Sequence, residues 1–321
     1  MKAVVFTEYG PPDVLKIAEL AIPTPQDRQV LIKVHAASIN AGDWRGMRAN
    51  PFLIRLVGGG LRRPKNPRFG SDVAGRVEAV GENVEQFRPG DEVFGCAKGA
   101  FAEYVLAREA YVALKPANTS FEKAAAVPVA GLTALQGIRY AGGIRPGQKV
   151  LIQGASGGVG TLAVQLAKLY AAEVTAVCST RNLDMARSIG ADHVIDYTRE
   201  DFTRNRQCYD LIFAVNGYHS LSAYRRALCP QGVYVCAGGT MAQFFQAMLL
   251  GSWMSRIGEK KMGSMGIAKV NQQDLVTLGE LVEAGKIVPV IDRSYPLNEV
   301  REAIRYVEEE HPQGKVVIRV E

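Results

Sequence analysis

The stretch KVLIQGASGGVGTLAVQLAKLY, residues 149–170, decides the fold. It begins with an apolar strand (149–153), passes through the glycine-rich turn GASGGVG (154–160) and continues as a helix predicted over 161–170. Glycine lets such a turn approach a phosphate without a Cβ, and the helix N-terminus offers N–H groups and a positive dipole end. The pattern predicts the pyrophosphate-binding turn of a dinucleotide site. The alternative is a tight strand-to-helix turn without a ligand.

The order of strand, glycine turn and helix repeats along the middle of the chain. From about residue 125 to 265, apolar strands such as YDLIFAV and GVYVCAGG alternate with helices, which predicts a doubly wound parallel sheet. Residues 1 to about 120 carry short alternating runs such as VLIKVHAASI between Pro/Gly turns, which predicts a β-barrel-like domain. The predicted fold class is therefore α/β, with a β-rich domain beside a doubly wound sheet.

The end of the second strand of the parallel sheet predicts which nucleotide binds. There the sequence reads CSTRN (178–182), whereas an enzyme that uses NAD places Asp or Glu at this point to hold the ribose. Two hydroxyls and a guanidinium suit a 2′-phosphate, because Arg pairs with phosphate through two hydrogen bonds. These residues favour NADP(H) as the cofactor. Ser179 and Thr180 could also cap the helix that begins near Leu183, and the two roles are compatible.

The net charge of +6 over 321 residues lies in one segment. Between Trp44 and Ser71 there is no acidic residue, and the rest of the chain sums to −1. The segment could attract a cofactor phosphate, an acidic substrate or an anionic membrane surface, or remain a solvated loop. It lacks the interleaved aromatic residues of a single-strand nucleic-acid site, so we expect no nucleic-acid partner. Its seven basic residues are Arg45, Arg48, Arg55, Arg62, Arg63, Lys65 and Arg68.

The sequence also indicates in which cellular compartment the protein is expected. Neither a signal peptide nor a membrane span is evident, so we expect no integral membrane association. The five cysteines form no Cys-x-x-Cys pair, and their odd number argues against a disulfide framework. We therefore expect a cytoplasmic protein with reduced thiols.

Motifs along the whole chain resemble one family. They are MKAVVFTEYGPPDVLKI, PGDEVFG, AAAVPVAGLTALQGI, GASGGVG, GADHVIDY and the ending GKVVIRV. Together they resemble the medium-chain dehydrogenase/reductase superfamily, in its zinc-independent quinone oxidoreductase (zeta-crystallin-like) branch. The resemblance implies a GroES-like catalytic domain over residues 1–124, a Rossmann NADP-binding domain over 125–265 and a return to the catalytic domain over 266–321. It also implies a homodimer, for which the apolar segment 244–266 is the candidate contact.

The resemblance further implies cofactor contacts, residue by residue. The residues expected to contact the pyrophosphate are Ser156, Gly157, Gly158 and Val159, and those expected at the 2′-phosphate are Ser179, Thr180 and Arg181. Tyr197 is expected near the adenosine, and Asn40, Thr133 and Asn216 are expected on the nicotinamide side. Lys315 is expected as a further cofactor contact late in the chain. At Asn216 the sequence NGY departs from the family, in which a glycine pair follows an asparagine-valine. Tyr197 could equally be a tyrosine that ends a half-buried strand.

The stretch RFGSDVAGRVEAVG, residues 68–81, argues against a catalytic zinc. It resembles the Gly-His-Glu segment of zinc alcohol dehydrogenases, with Ser71 in place of the histidine and Asp72 in place of the glutamate. The other two ligand positions fall on 40–43 and within the cysteine-free run 127–137, so neither offers a thiolate or an imidazole. The sequence therefore predicts no metal site. For Asp43 and Asp72 it favours a hydrogen bond in a turn or at a strand end over a catalytic role.

The loss of the metal restricts the predicted reaction. Zinc stabilises the alkoxide that develops when hydride adds to an isolated ketone or aldehyde. Without zinc we expect acceptors that delocalise the charge themselves, namely quinones and α,β-unsaturated carbonyls, with Asn40 and Arg45 as catalytic hydrogen-bond donors. Two alternatives stay open: a ketone or aldehyde reductase of the same fold, and a non-catalytic NADPH-binding protein.

Overall fold

The structure is a computed structural model that describes residues 1–50, 52, 55–56, 60–239, 241–256, 258–310 and 312–320. The chain forms two compact units. The first unit comprises residues 1–130, 270–285 and 289–321, and the second comprises residues 131–269 and 286–288. The domain boundaries at 124 and 265 stay predictions.

Strands dominate the first part of the chain, and strands alternate with helices in the middle. In chain order the elements are β1 (Lys2–Val5), β2 (Lys16–Glu19), β3 (Gln29–Ser38), α1 (Ala41–Arg48), β4 (Asp72–Val80), β5 (Glu92–Cys96), β6 (Tyr104–Arg108), β7 (Val112–Leu114), α2 (Phe121–Ala125), α3 (Pro128–Tyr140), β8 (Lys149–Gln153), α4 (Gly158–Leu169), β9 (Glu173–Cys178), α5 (Leu183–Ser188), β10 (His193–Asp196), β11 (Tyr209–Ala214), α6 (Leu221–Ala227), β12 (Leu228–Cys236), α7 (Met241–Met254), β13 (Lys261–Ser264), α8 (Gln272–Glu283), β14 (Ile291–Pro296), α9 (Val300–Glu309) and β15 (Lys315–Arg319).

The first unit is built around a mostly antiparallel sheet. Over the described residues its strand order is β14-β15-β3-β4-β5-β7, with β6 also paired to β3, and the β14–β15 pair is parallel. The long strand β3 buries Val30, Ile32 and Val34 completely, because β-branched side chains pack well on a pleated surface. Phe69 and Phe101 belong to the same core. The predicted β-rich domain is confirmed.

The second unit is built around a parallel sheet. Its strand order over the described residues is β10-β9-β8-β11-β12-β13, and all neighbours are parallel. Four of the five residues of β8 are buried, as expected for a strand covered on both faces. The strand order changes direction between β8 and β11, and open α/β sheets bind ligands at the carboxyl ends of the strands beside such a switch point. The predicted doubly wound sheet is confirmed.

The expectation that the chain has no disulfide is wrong. Cys208 and Cys229 are bonded to each other, although 21 residues separate them. Cys208 directly precedes β11 and Cys229 lies in the neighbouring strand β12, so their Cα atoms are only 4.9 Å apart. The odd number of cysteines does not exclude a single disulfide. The spacing of the cysteines in the sequence could not show that these two lie close together on neighbouring parallel strands. Cys96, Cys178 and Cys236 are buried free thiols.

The apolar segment predicted as a subunit contact lies mainly in α7. Met248, Leu249 and Leu250 of this helix are exposed. The side chains of Phe244, Phe245 and Trp253 lie outside the described residues. The homodimer stays a prediction. Of the helices in the described ranges, none combines the length and the apolar character that crossing a bilayer requires.

Candidate functional site

The glycine turn between β8 and α4 packs tightly against the protein at Gly154 and Gly160 and has free space beside Gly157. Gly154 has a φ of +79°, and a Cβ on it would lie 2.9 Å from the Cβ of Asn216. A Cβ on Gly160 would lie 2.1 Å from the carbonyl oxygen of Gly154. A Cβ on Gly157, by contrast, would find its nearest atom at 3.9 Å. The turn therefore leaves room for a pyrophosphate close to its backbone, and the residues fit a dinucleotide cofactor.

The helix after the turn begins at Gly158, three residues before the predicted start at Thr161. The N–H of Thr161 donates a hydrogen bond to the carbonyl of the N-cap residue Gly157 at 2.9 Å. The N–H groups of residues 158–160 precede that bond, so the helix itself offers them no acceptor. Half-buried Ser156 stands just before the N-cap. The predicted pyrophosphate residues thus form one helix N-terminus suited to an anion.

The predicted 2′-phosphate residues follow β9. Ser179 is the N-cap of a short 3-10 turn, and its Oγ accepts a hydrogen bond of 3.0 Å from Asn182 Nδ2, which leaves the serine proton for another acceptor. Arg181 is exposed. The hydroxyl of Thr180 instead donates its proton to the carboxylate of Asp196. Ser179 and Arg181 are therefore the donors of this group that suit a phosphate.

Asp196 is a residue of this site that the sequence analysis missed. It ends β10, and the hydroxyls of Thr180 and Thr198 donate to its two carboxylate oxygens. These hydrogen bonds hold the pKa of Asp196 below its usual range. The second strand indeed ends without a carboxylate, but the third strand brings one beside Thr180. The aspartate of the VIDY motif was the available signal.

The remaining predicted cofactor residues of the second unit are spread over three elements. The backbone N–H of Asn216 lies 3.3 Å from the carbonyl oxygen of Gln153, so Asn216 adjoins the glycine turn. Tyr197 follows β10, and its exposed ring lies 6.2 Å from the exposed ring of Tyr218. Thr133 is half-buried on α3. Asn216 and Tyr197 both follow carboxyl ends of the parallel strands, as a dinucleotide site requires.

The first unit contains a buried polar network centred on Asp72. Its Oδ2 accepts hydrogen bonds of 2.8 Å from Ser38 Oγ and Asn40 Nδ2, and it lies 3.1 Å from Lys315 Nζ. Its Oδ1 accepts a hydrogen bond of 3.0 Å from the backbone N–H of Val129. Asp72 is 0% exposed and Lys315 is 5% exposed. Each buried charge is therefore compensated by the other and by hydrogen bonds.

Lys315 fixes the orientation of Asn40. Its ammonium donates a hydrogen bond of 2.6 Å to Asn40 Oδ1, while Asn40 Nδ2 donates to Asp72. A carboxylate accepts and an ammonium donates, so the side-chain amide has only one consistent orientation. The sequence analysis named Asn40 and Lys315 as cofactor contacts but missed the ion pair that holds them. Asp72 and Lys315 are 243 residues apart, and no pattern in the sequence connects them.

Asp43 lies at the edge of this network. Its carboxylate accepts hydrogen bonds from the backbone N–H of Asn40 at 2.7 Å and from Ser71 Oγ at 2.8 Å. The first is the local backbone hydrogen bond that the sequence predicted. Burial raises the pKa of Asp43 to about 6. The group therefore changes charge close to neutral pH.

The donors at this place do not fit zinc. Ser71, at the position of the histidine ligand, donates its hydroxyl proton to a carboxylate. The ammonium of Lys315 already supplies the positive charge beside Asp72 and would repel a second cation. Burial raises the pKa of the neighbouring Cys96 thiol, which disfavours the thiolate that a metal needs. No cluster of three or more His, Cys, Asp or Glu side chains suited to a metal occurs in the part of the chain that the structure describes.

Arg45 lies on α1, the helix that Asn40 caps. Its side chain is half-buried, and the guanidinium carbon lies 5.3 Å from the ring centre of Trp44. Trp44 itself packs against the core of the first unit. Burial lowers the pKa of Arg45, but a guanidinium remains a cation at neutral pH. Arg45 is thus a fixed positive charge on the same helix as Asp43.

The chain matches two family models, the alcohol dehydrogenase GroES-like domain over residues 26–117 and the zinc-binding dehydrogenase over residues 189–318. It is 36% identical to 2-methylene-furan-3-one reductase of Solanum lycopersicum over 333 residues, which cover 99% of this chain and 79% of that protein. It is 34% identical to the chloroplastic NADPH-dependent alkenal/one oxidoreductase of Arabidopsis thaliana, with the same coverage of both chains. The solved structure of the quinone oxidoreductase from Coxiella burnetii is similar at a TM-score of 0.88 and 31% identity, covering 100% of this chain and 99% of that one.

Proposed function

The chain belongs to the medium-chain dehydrogenase/reductase superfamily, in its quinone-oxidoreductase-like branch, and we propose that it reduces a quinone or an α,β-unsaturated carbonyl with NADPH. It is an oxidoreductase that uses a nicotinamide cofactor. The proposal adds three specific points: the cofactor is NADPH, the reaction is a hydride transfer, and no metal takes part. Relatives named as a furanone reductase, an alkenal/one oxidoreductase and a quinone oxidoreductase support the substrate class.

The observation that carries the proposal is the network of Lys315, Asp72 and Asn40. An ammonium stands beside Asp72, the residue next to the position of the zinc-ligating histidine in the resembled zinc enzymes, so the site offers hydrogen-bond donors rather than a Lewis acid. A donor set of this kind suits acceptors that spread the incoming charge over a conjugated system.

Asn40 and Arg45 are the proposed donors to the acceptor oxygen. One proton of Asn40 Nδ2 is held by Asp72, and the other is directed at Ser71 Oγ over a long contact of 3.5 Å. That second proton has only a weak acceptor, so it remains available to a substrate oxygen that approaches on its side while the amide keeps its orientation. The cation of Arg45 stabilises the negative charge that develops on an enolate or quinol oxygen. Water supplies the proton, because a guanidinium does not release its own.

NADPH, when bound, supplies the hydride. We propose that residues 156–159 bind its pyrophosphate through the helix N-terminus, and that Ser179 and Arg181 bind the 2′-phosphate. Thr180 lies beside this site, and its hydroxyl donates a hydrogen bond to the carboxylate of Asp196. The proposed further contacts are Tyr197 for the adenosine, Thr133 and Asn216 for the nicotinamide side, and Lys315.

The quaternary structure and the compartment remain proposals as well. We propose a homodimer, because α7 exposes Met248, Leu249 and Leu250 next to one another. Light scattering at several protein concentrations tests it. A monomer at all concentrations would contradict it.

We also keep the expectation of a cytoplasmic location, which fractionation of the producing cells tests.

A comparison of acceptors tests the proposed reaction. NADPH oxidation is measured with a 1,4-benzoquinone, with an alkenal and with the matching saturated aldehyde, each with and without a metal chelator. We expect turnover with the first two acceptors and no effect of the chelator. Turnover of the saturated aldehyde that the chelator abolishes would overturn the metal-free reaction. Tight NADPH binding without any turnover would support the non-catalytic alternative instead.

A further inference from the structure

The segment that carries the positive charge also exposes large apolar side chains. Phe52, Leu56 and Leu61 expose 59%, 62% and 57% of their surface. Exposed basic residues follow them directly in the sequence, namely Arg62, Arg63 and Lys65. Single exposed apolar residues are ordinary, but three of them among cations in a segment without acids are not.

Described contacts hold part of this segment together around Gly60. The hydroxyl of Tyr9 donates a hydrogen bond of 2.9 Å to the carbonyl oxygen of Gly60. The guanidinium carbon of Arg55 lies 4.6 Å from the ring centre of Tyr9 and 5.2 Å from the ring centre of Phe52. A Cβ on Gly60 would lie 3.2 Å from Cγ of Lys65. We call the side chains that this segment offers to solvent, those of Phe52, Arg55, Leu56, Leu61, Arg62, Arg63 and Lys65, the basic-apolar surface.

Among the described residues, the outer cations of this surface have no acidic partner. Arg48, earlier in the same segment, pairs with Glu308 at 2.5 Å. The ion pairs found within the described ranges include neither Arg62, Arg63 nor Lys65. The positive potential of the patch therefore extends into solvent.

We propose that the basic-apolar surface docks onto the surface of an anionic lipid membrane. Cations of this kind are attracted to acidic headgroups, and exposed Leu and Phe side chains insert at the boundary between headgroups and acyl chains. A second copy of the chain fits poorly, because two identical cationic patches repel each other across a two-fold axis. A small soluble anion would pair with the cations but leave the apolar side chains in water.

The inference goes beyond the proposed function, because membrane binding needs neither cofactor nor turnover. Docking would bring the enzyme to hydrophobic acceptors that are dissolved in a bilayer. The protein itself has no described helix that could cross the bilayer, so the association is peripheral.

Vesicle flotation with the full chain tests the proposal. Vesicles of phosphatidylcholine alone are compared with vesicles that contain roughly 30% phosphatidylglycerol, at about 0.1 M and about 0.5 M NaCl. The charge variant is Arg62→Glu/Arg63→Glu/Lys65→Glu, and the apolar variant is Leu56→Ser/Leu61→Ser. The matched control Arg88→Glu/Arg145→Glu/Lys286→Glu changes the net charge equally at exposed positions elsewhere. Thermal midpoints and NADPH binding verify that each variant is folded.

We expect the wild type and the control to float with the anionic vesicles, and only weakly with the neutral ones. The charge variant should lose at least about tenfold in its partition coefficient, and the apolar variant should lose the binding that survives high salt. Equal losses in the charge variant and the control would overturn the proposal. So would a wild type that binds no anionic vesicles at low salt. A charge variant that changes only the KM for a soluble anionic substrate would assign the surface to that substrate and overturn the membrane proposal.

Discussion

The ammonium of Lys315 lies 3.1 Å from the buried carboxylate of Asp72. Because the same ammonium donates a hydrogen bond of 2.6 Å to the amide oxygen of Asn40, one ion pair both compensates the buried charge of Asp72 and orients a proposed catalytic group. A zinc ion would provide the positive charge by coordination. Here a side chain provides it, and in the proposed reaction hydrogen bonds to the substrate would take the place of coordination.

Removal of Lys315 should destabilise the protein strongly. In Lys315→Met the carboxylate of Asp72 stays buried without its cation, which costs about 3 kcal/mol or more. Urea unfolding followed by circular dichroism measures the loss. In the double variant Asp72→Asn/Lys315→Met both charges of the pair are gone, so most of the stability should return. A double variant as unstable as the single one would show that the ion pair is not the cause.

The fold and the places of the candidate cofactor residues within it could be predicted from the sequence, because they depend on local patterns. The turn GASGGVG and the sequence CSTRN each lie within a few consecutive residues, and the structure places both at carboxyl ends of parallel strands. The type of each unit followed from periodicity alone. The start of α4 was placed three residues too late, because the glycine motif itself supplies the first helical turn.

The contacts that the sequence could not predict are all non-local. Asp196 reaches Thr180 from the next strand, Cys208 reaches Cys229 across two parallel strands, and Lys315 reaches Asp72 across almost the whole chain. Each partner taken alone has an ordinary local interpretation. Pairing becomes visible only when the strand order is known.

Arg45 should affect catalysis rather than folding. If its cation stabilises the developing oxyanion, Arg45→Ala should lower kcat/KM for the quinone or enone about a hundredfold. Arg45→Lys should keep much of the activity, because it keeps the charge. Arg48→Ala is the matched control on the same helix, since Arg48 pairs with Glu308. Steady-state kinetics measure all three variants. Unchanged kinetics in Arg45→Ala would exclude the catalytic role.

Arg181 should discriminate between the two nicotinamide cofactors. A guanidinium that binds the 2′-phosphate contributes charge-assisted hydrogen bonds, so Arg181→Ala should raise the KM for NADPH about tenfold to a hundredfold and leave the KM for NADH unchanged. Ser179→Ala should have a smaller effect in the same direction. Arg187→Ala, an exposed arginine paired with Asp184 on α5, is the control. Equal effects on both cofactors would contradict binding of the 2′-phosphate.

Asp43 should make the stability of the protein depend on pH in a defined direction. Burial raises its pKa from 3.8 to about 6, so between these values the folded chain binds this proton more tightly than the unfolded chain does. Stability should therefore fall as the pH rises from about 4 to about 6, and the full cost above pH 6 is about 3 kcal/mol.

Urea unfolding at several pH values measures how the free energy of unfolding changes with pH. Asp43→Asn cannot ionise, so its slope over this range should be flatter than that of the wild type. Ser71→Ala removes a hydrogen bond that favours the carboxylate, so it should move the transition to higher pH. Identical slopes in the wild type and Asp43→Asn would show that Asp43 does not titrate in this range.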